Sequence, residues 1–99
     1  MIKRIVRMVL QPGAEATFFE TFEEVKSQIR AQQGCRDLEV LLGEENGLVS
    51  IWTISLWDLA EDLDRYRQSE LFQQTWSRVK PLFAHKAQAW TLSPVQEAP

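Results

Sequence analysis

The sequence predicts an α+β domain whose elements run strand, helix, strand, strand, helix, strand. Three observations carry that prediction. The chain opens on a segment of alternating hydrophobicity, changes to a helical period after Pro12-Gly13, and holds two apolar, β-rich runs separated by Asn46-Gly47.

Ile2 to Leu10 alternates, with Val6, Met8 and Leu10 on one face and Ile5, Arg7 and Val9 on the other, which predicts a strand. From Ala14 to Gln33 the apolar residues Phe18, Phe22, Val25 and Ile29 follow i, i+4, i+7, i+11, and charged residues fill the remaining surface. This predicts an amphipathic helix, with Gly34 as its C-cap. Arg36 to Gly43 and Leu48 to Trp57 are read as two strands of a hairpin. A two-residue Asn46-Gly47 turn would set Val40 opposite Thr53. A three-residue Glu45-Asn46-Gly47 loop with a G1 bulge would set Glu39 opposite Thr53 and Val40 opposite Trp52, so that like faces like. The three-residue loop is the preferred reading. It gives one face Leu38, Val40, Leu42, Trp52, Ile54 and Leu56, and the other Glu39, Leu41, Val49, Ile51, Thr53 and Ser55.

Beyond Trp57, Asp58 is a candidate N-cap for a short helix carrying Leu59, Leu63 and Tyr66. Ser69 caps a longer helix with the stripe Phe72, Trp76, Val79 and Phe83, whose last turn Pro81 loosens. Ala87 to Leu92 predicts a final strand, and residues 93–99 a polar, proline-bearing tail beyond a domain of residues 1–92. The order is that of a ferredoxin-like βαββαβ domain, a four-stranded antiparallel sheet with both helical segments on one face. The helical stripes would then meet Val6, Met8, Val40, Trp52 and Ile54. The opposite face would keep Ile5, Val9, Leu41, Val49 and Ile51 uncovered, an apolar patch that predicts a homodimer through the sheet faces. Arg7 and Glu39 share that face and are expected to pair.

Composition narrows the function classes. With 99 residues and 11.5 kDa the core is thin, which also favours self-association. A net charge of -3 with scattered Lys and Arg gives no basic stripe, so nucleic acid is not an expected partner. Charges interrupt every apolar run of MIKRIVRMVL, leaving neither a signal-peptide core nor a membrane span, and the sequence predicts a cytoplasmic protein. One cysteine and one histidine are too few soft ligands for a structural zinc site, and no metal is expected. Cys35 reads as a small buried residue and His85 as a solvated helix-end residue rather than a general base. The acidic pairs Glu23-Glu24, Glu44-Glu45 and Glu61-Asp62 read as solvated faces.

The segments GCRDLEVL, SLWD and DRYRQSELFQQTW, with a final strand containing AW, resemble the antibiotic biosynthesis monooxygenase (ABM) family of dimeric αβ-barrel proteins across residues 2–92. The resemblance implies a homodimer with back-to-back sheets and a pocket between helices and sheet in each subunit. It implies a cofactor-independent monooxygenase of a small aromatic or quinol-like substrate; the alternative is a non-catalytic binding or stress-response module holding a hydrophobic metabolite. The heme-degrading branch of the family uses an asparagine on the first strand, a tryptophan in the short helix and a histidine in the next. The matching positions here are Val6, Tyr66 and Trp76, so the axial ligand is missing and heme degradation is disfavoured. In the oxygenase reading Tyr66 hydrogen-bonds the substrate oxygen, Trp52, Phe72 and Trp76 are stacking walls, and Arg67 or Arg78 draws an anion to the mouth. For each aromatic taken singly, a place in the core is the simpler reading. Tyr66 has the strongest claim, because a buried hydroxyl needs a partner.

Overall fold

The computed structural model describes residues 1–96. Its elements are β1 (Ile2–Val9), α1 (Glu15–Arg30), β2 (Cys35–Glu45), β3 (Leu48–Trp57), α2 (Ala60–Arg67), α3 (Glu70–Val79) and β4 (Gln88–Leu92), with a 3₁₀ turn at Lys80–Leu82. The strands form one antiparallel sheet in the order β2-β3-β1-β4, the ferredoxin-like arrangement the sequence predicts. Of the expected tail, residues 93–96 are exposed and lie outside helices and strands, and 97–99 fall outside the described residues.

Local chemistry explains the element ends. Helix α1 stops at Arg30, where Ala31 is the C-cap and donates its N–H to the Ser27 carbonyl at 3.0 Å. Gly34 is therefore not the cap. It sits at φ 82 in the turn that follows, a left-handed conformation that suits glycine. Asp58 does not cap α2 either, because its carboxylate accepts from Arg36 Nε at 2.8 Å and Leu59 takes the N-cap position, exposed rather than part of the stripe. Ser69 caps α3 as predicted, its hydroxyl accepting from the Phe72 N–H at 3.1 Å. Pro81 has no N–H to continue the ladder, and the chain tightens there into the 3₁₀ turn.

The hairpin corrects the sequence reading. Glu45 pairs with Leu48, so the loop is the two-residue Asn46-Gly47 turn, and both residues have positive φ, 52° and 81°. Two left-handed residues form a type I′ turn, whose twist matches that of the strands, and asparagine tolerates that conformation. Glu39 accordingly faces Ile54 and Val40 faces Thr53. The whole of β3 is turned over relative to the preferred register: Ile51, Thr53, Ser55 and Trp57 point toward the helices, while Trp52, Ile54 and Leu56 join Ile5 on the outer face.

Two core clusters lie under the helices. Met8, Leu10, Phe18, Ile51 and Val79 form one, with Phe22, Trp76 and Phe83 packed against it. Cys35, Trp57 and Leu63 form the other, bordered by Ile2 and Tyr66. Ile51 is fully buried, so neither it nor Val49 belongs to the outer face where the sequence reading set them. That face carries instead Ile5, Leu41, Trp52, Ile54, Leu56 and Trp90, with Trp52 and Trp90 stacked at 6.2 Å. The expected Arg7–Glu39 pair is replaced by Arg7 with Glu45, supported by Gln88 at 2.7 Å. Glu39 is exposed.

Candidate functional site

Between the two core clusters the structure leaves a cavity of about 300 Å³. Its size follows from residue choice on the sheet floor. Thr53, Ser55, Ala87 and Ala89 point inward there, and their small side chains do not reach the aromatics of α1 and α3. The apolar walls are Phe22, Phe72, Trp76 and Leu63, and the polar groups are Arg4, Arg67, Tyr66 and a few hydroxyls, a lining suited to a small organic molecule.

The aromatics form a continuous chain. Trp57 stacks on Tyr66 at 5.2 Å, Tyr66 meets Phe72 edge-on at 5.3 Å, and Phe72 lies nearly parallel to Trp76 at 5.9 Å. Trp76 in turn meets Phe83 at 5.4 Å. Ser69 fixes the middle of this chain. Its hydroxyl donates to the Tyr66 carbonyl at 2.6 Å while accepting from the Phe72 N–H, so one side chain ties the end of α2 to the start of α3.

Tyr66 enters the cavity from α2. Its hydroxyl makes no hydrogen bond among the described residues, and because no fully buried side-chain oxygen or nitrogen is left unpartnered among them, the hydroxyl keeps some accessible surface. Burial, and secondarily the Cys35 thiol, pushes the phenol up to about 12. At neutral pH it is therefore a hydrogen-bond donor and not a base.

Phe72 and Trp76 line the same cavity, as the sequence reading expected. Trp52 does not. The register that turns β3 over carries its indole to the opposite sheet face, against Trp90. Of the two arginines expected at the mouth, Arg67 lines the cavity, whereas Arg78 pairs with Glu24 at 2.9 Å. Arg4 is a charged lining residue the sequence reading missed; it stands beside Ser55 and Thr91 on the inward face of β1, and it donates to the Thr91 hydroxyl at 2.7 Å. The signal for it was present, since Arg4 shares the phase of Val6 and Met8.

His85 is exposed and outside the cavity lining. Cys35 is buried, which raises its thiol pKa against the smaller opposing effect of Arg30. Among the described residues no group of three or more His, Cys, Asp or Glu side chains is arranged to hold a metal, and no helix is long and apolar enough to cross a membrane. Val6, Tyr66 and Trp76, the positions at which the chain departs from the heme-degrading pattern, all line this one cavity.

The antibiotic biosynthesis monooxygenase family model matches residues 1–77. No curated protein matches the sequence. Among solved structures, an antibiotic biosynthesis monooxygenase superposes with a TM-score of 0.86 at 16% identity, covering 97% of this chain and 100% of its own. SnoaB from Streptomyces nogalater, described as a cofactor-independent oxygenase and solved as an asparagine-to-alanine mutant, gives 0.84 at 17% identity over 99% and 96% of the two chains. Rv0793 from Mycobacterium tuberculosis gives 0.81 at 20% identity over 99% and 98%. At these identities the likeness is one of fold.

Proposed function

The chain belongs to the antibiotic biosynthesis monooxygenase family, and we propose that it is a cofactor-independent monooxygenase of a small aromatic or quinol-like substrate held in the cavity between its two core clusters. The observation that carries this reading is the neutral phenol of Tyr66, a residue that lines an aromatic-walled space and whose hydroxyl has no partner among the described residues. Such a donor binds an anionic substrate oxygen more strongly than a neutral one, and so favours the electron-rich anion that reacts with molecular oxygen. In an anthrone the reacting methylene becomes a carbonyl; its hydrogens leave with the second oxygen atom as water, and the substrate itself supplies the electrons. Phe72 and Trp76 hold the ring plane and exclude water. The cofactor-independent oxygenase among the structural neighbours supports the same chemistry.

Oxygen uptake on a panel of anthrones and hydroquinones tests the proposal. Tyr66→Phe keeps the ring and removes the hydroxyl, so turnover should fall about ten- to hundredfold with an unchanged melting temperature. A Tyr66→Phe protein oxidising the best substrate at the wild-type rate would remove Tyr66 from the mechanism. One observation favours the rival reading of a non-catalytic binding module: among the described residues, the lining contains no His, Asp or Glu to act as a general base near neutrality. Ligand binding without oxygen uptake across the panel would establish that rival.

We also propose a homodimer through the outer sheet face. Its support is the apolar surface of Ile5, Trp52, Ile54 and Trp90, which no helix among the described residues covers.

A further inference from the structure

The seven arginines of this protein differ in their partners. Arg7, Arg36, Arg65 and Arg78 each pair with a carboxylate, from Glu45, Asp58, Asp62 and Glu24 respectively. Arg30 donates to the Cys35 carbonyl at 2.7 Å. Arg4 and Arg67 have no carboxylate within ion-pair distance among the described residues, and they are the two arginines that line the cavity. Among the described residues, no aspartate or glutamate lines it with them.

The two guanidinium groups act on one another. Burial, followed by the charge of Arg67, lowers the pKa of Arg4. Arg4 is half-buried on the sheet floor, and one of its donors goes to the neutral Thr91 hydroxyl. Arg67 is exposed and Arg4 half-buried, and two like charges lining one cavity, with a single hydroxyl bonded to Arg4, leave guanidinium donors available to an anion that pairs with both. The planar fork of arginine fits a carboxylate in particular, because both carboxylate oxygens can be bound together.

We propose that the ligand of this cavity is an aromatic carboxylate, its ring against Phe72 and Trp76 and its carboxylate bound by Arg4 and Arg67. The inference rests on the oxygenase reading only for its site, and it adds the chemical class of the substrate. Tyr66 then receives the phenolic oxygen and the arginines receive the acid, so that ring orientation is fixed at two points. An anthrone or hydroquinone without an acidic substituent leaves both arginines unpaired in the complex and binds more weakly.

The test compares hydroxynaphthoate with hydroxynaphthamide, which share shape and ring system and differ in the charge, by titration calorimetry and by quenching of tryptophan fluorescence. Wild type should bind the carboxylate about ten- to hundredfold more tightly. Arg67→Gln and Arg4→Gln should each erase most of that preference and leave amide binding nearly unchanged. Arg67→Lys should restore part of it, and melting curves of each variant separate lost folding from lost recognition. Equal affinity for the two ligands in wild type, or a preference that survives both glutamine variants, overturns the proposal. Oxygen uptake separates it from the oxygenase reading. Efficient turnover of neutral substrates with no gain from a carboxylate refutes the charge inference alone, whereas no binding of either ligand and no uptake of oxygen removes both.

Discussion

The buried phenol offers a measurement that reports on the site directly, because Tyr66 is the single tyrosine of the chain. Alkaline titration followed by tyrosinate absorbance therefore reads one group without assignment. In the unfolded chain that group titrates near 10.0, and in the folded protein near about 12. Between those values the unfolded state has lost a proton that the folded state keeps. Stability is consequently complete below the unfolded value, falls as pH rises through the window, and reaches its full loss above the folded one. The difference between the two values corresponds to a free energy on the order of 3 kcal/mol. The Cys35 thiol, also raised by burial, adds a loss of the same sign, so Tyr66→Phe is the necessary comparison. The variant should lack the absorbance transition and should lose less stability than wild type above pH 10. Near-ultraviolet circular dichroism of the buried Trp57 monitors whether the fold persists during the titration. A folded protein whose tyrosine titrates near 10.0 would show the phenol to be solvated, and the argument for a neutral donor in the cavity would fail.

How far the sequence could be read depended on whether each element had a single consistent face. Helix α1 did, since Phe18, Val25 and Ile29 recur at helical spacing between charged residues, and all three are buried. Strand β3 did not. Both phases of LVSIWTISLW contain large apolar residues, so hydrophobicity could not decide which one faces inward. The rule that like faces like failed for a specific reason: Thr53 and Ser55 point inward because they border a cavity rather than a filled core. The feature that defeated the register argument is therefore the one that marks the site. Tyr66, Phe72 and Trp76 were legible because a short helix and a capped longer one place them on one face. Trp52 was misplaced with its strand. Arg4 was overlooked because an arginine at the edge of an alternating strand reads as solvent-facing until its neighbours Ser55 and Thr91 are known.

Three further outcomes test the packing, the site and the assembly. Ser69→Ala removes both the α3 cap and the link to the Tyr66 carbonyl, and thermal denaturation should show a loss of about 1 kcal/mol; no change would mean that water replaces both bonds. Incubation with hemin and an electron donor should leave the Soret band as in a protein-free control, because Val6, Tyr66 and Trp76 supply neither the axial histidine nor the strand asparagine of the heme-degrading pattern. Catalase-resistant loss of that band with a tetrapyrrole product would overturn the comparison. The assembly is tested by neighbouring choices on β3, since Ile51 and Ile54 point to opposite faces. Ile51→Asp puts a carboxylate into the monomer's own core and should unfold the chain. Ile54→Asp instead puts it on the outer face, beside Ile5 on β1 and Glu39 on β2. If that face is the dimer interface, an unpaired charge buried there costs about 3–5 kcal/mol and raises the dissociation constant at least about a hundredfold, while circular dichroism of the monomer stays native. Sedimentation equilibrium distinguishes the cases, and a dimer of unchanged affinity in folded Ile54→Asp protein would place the interface elsewhere.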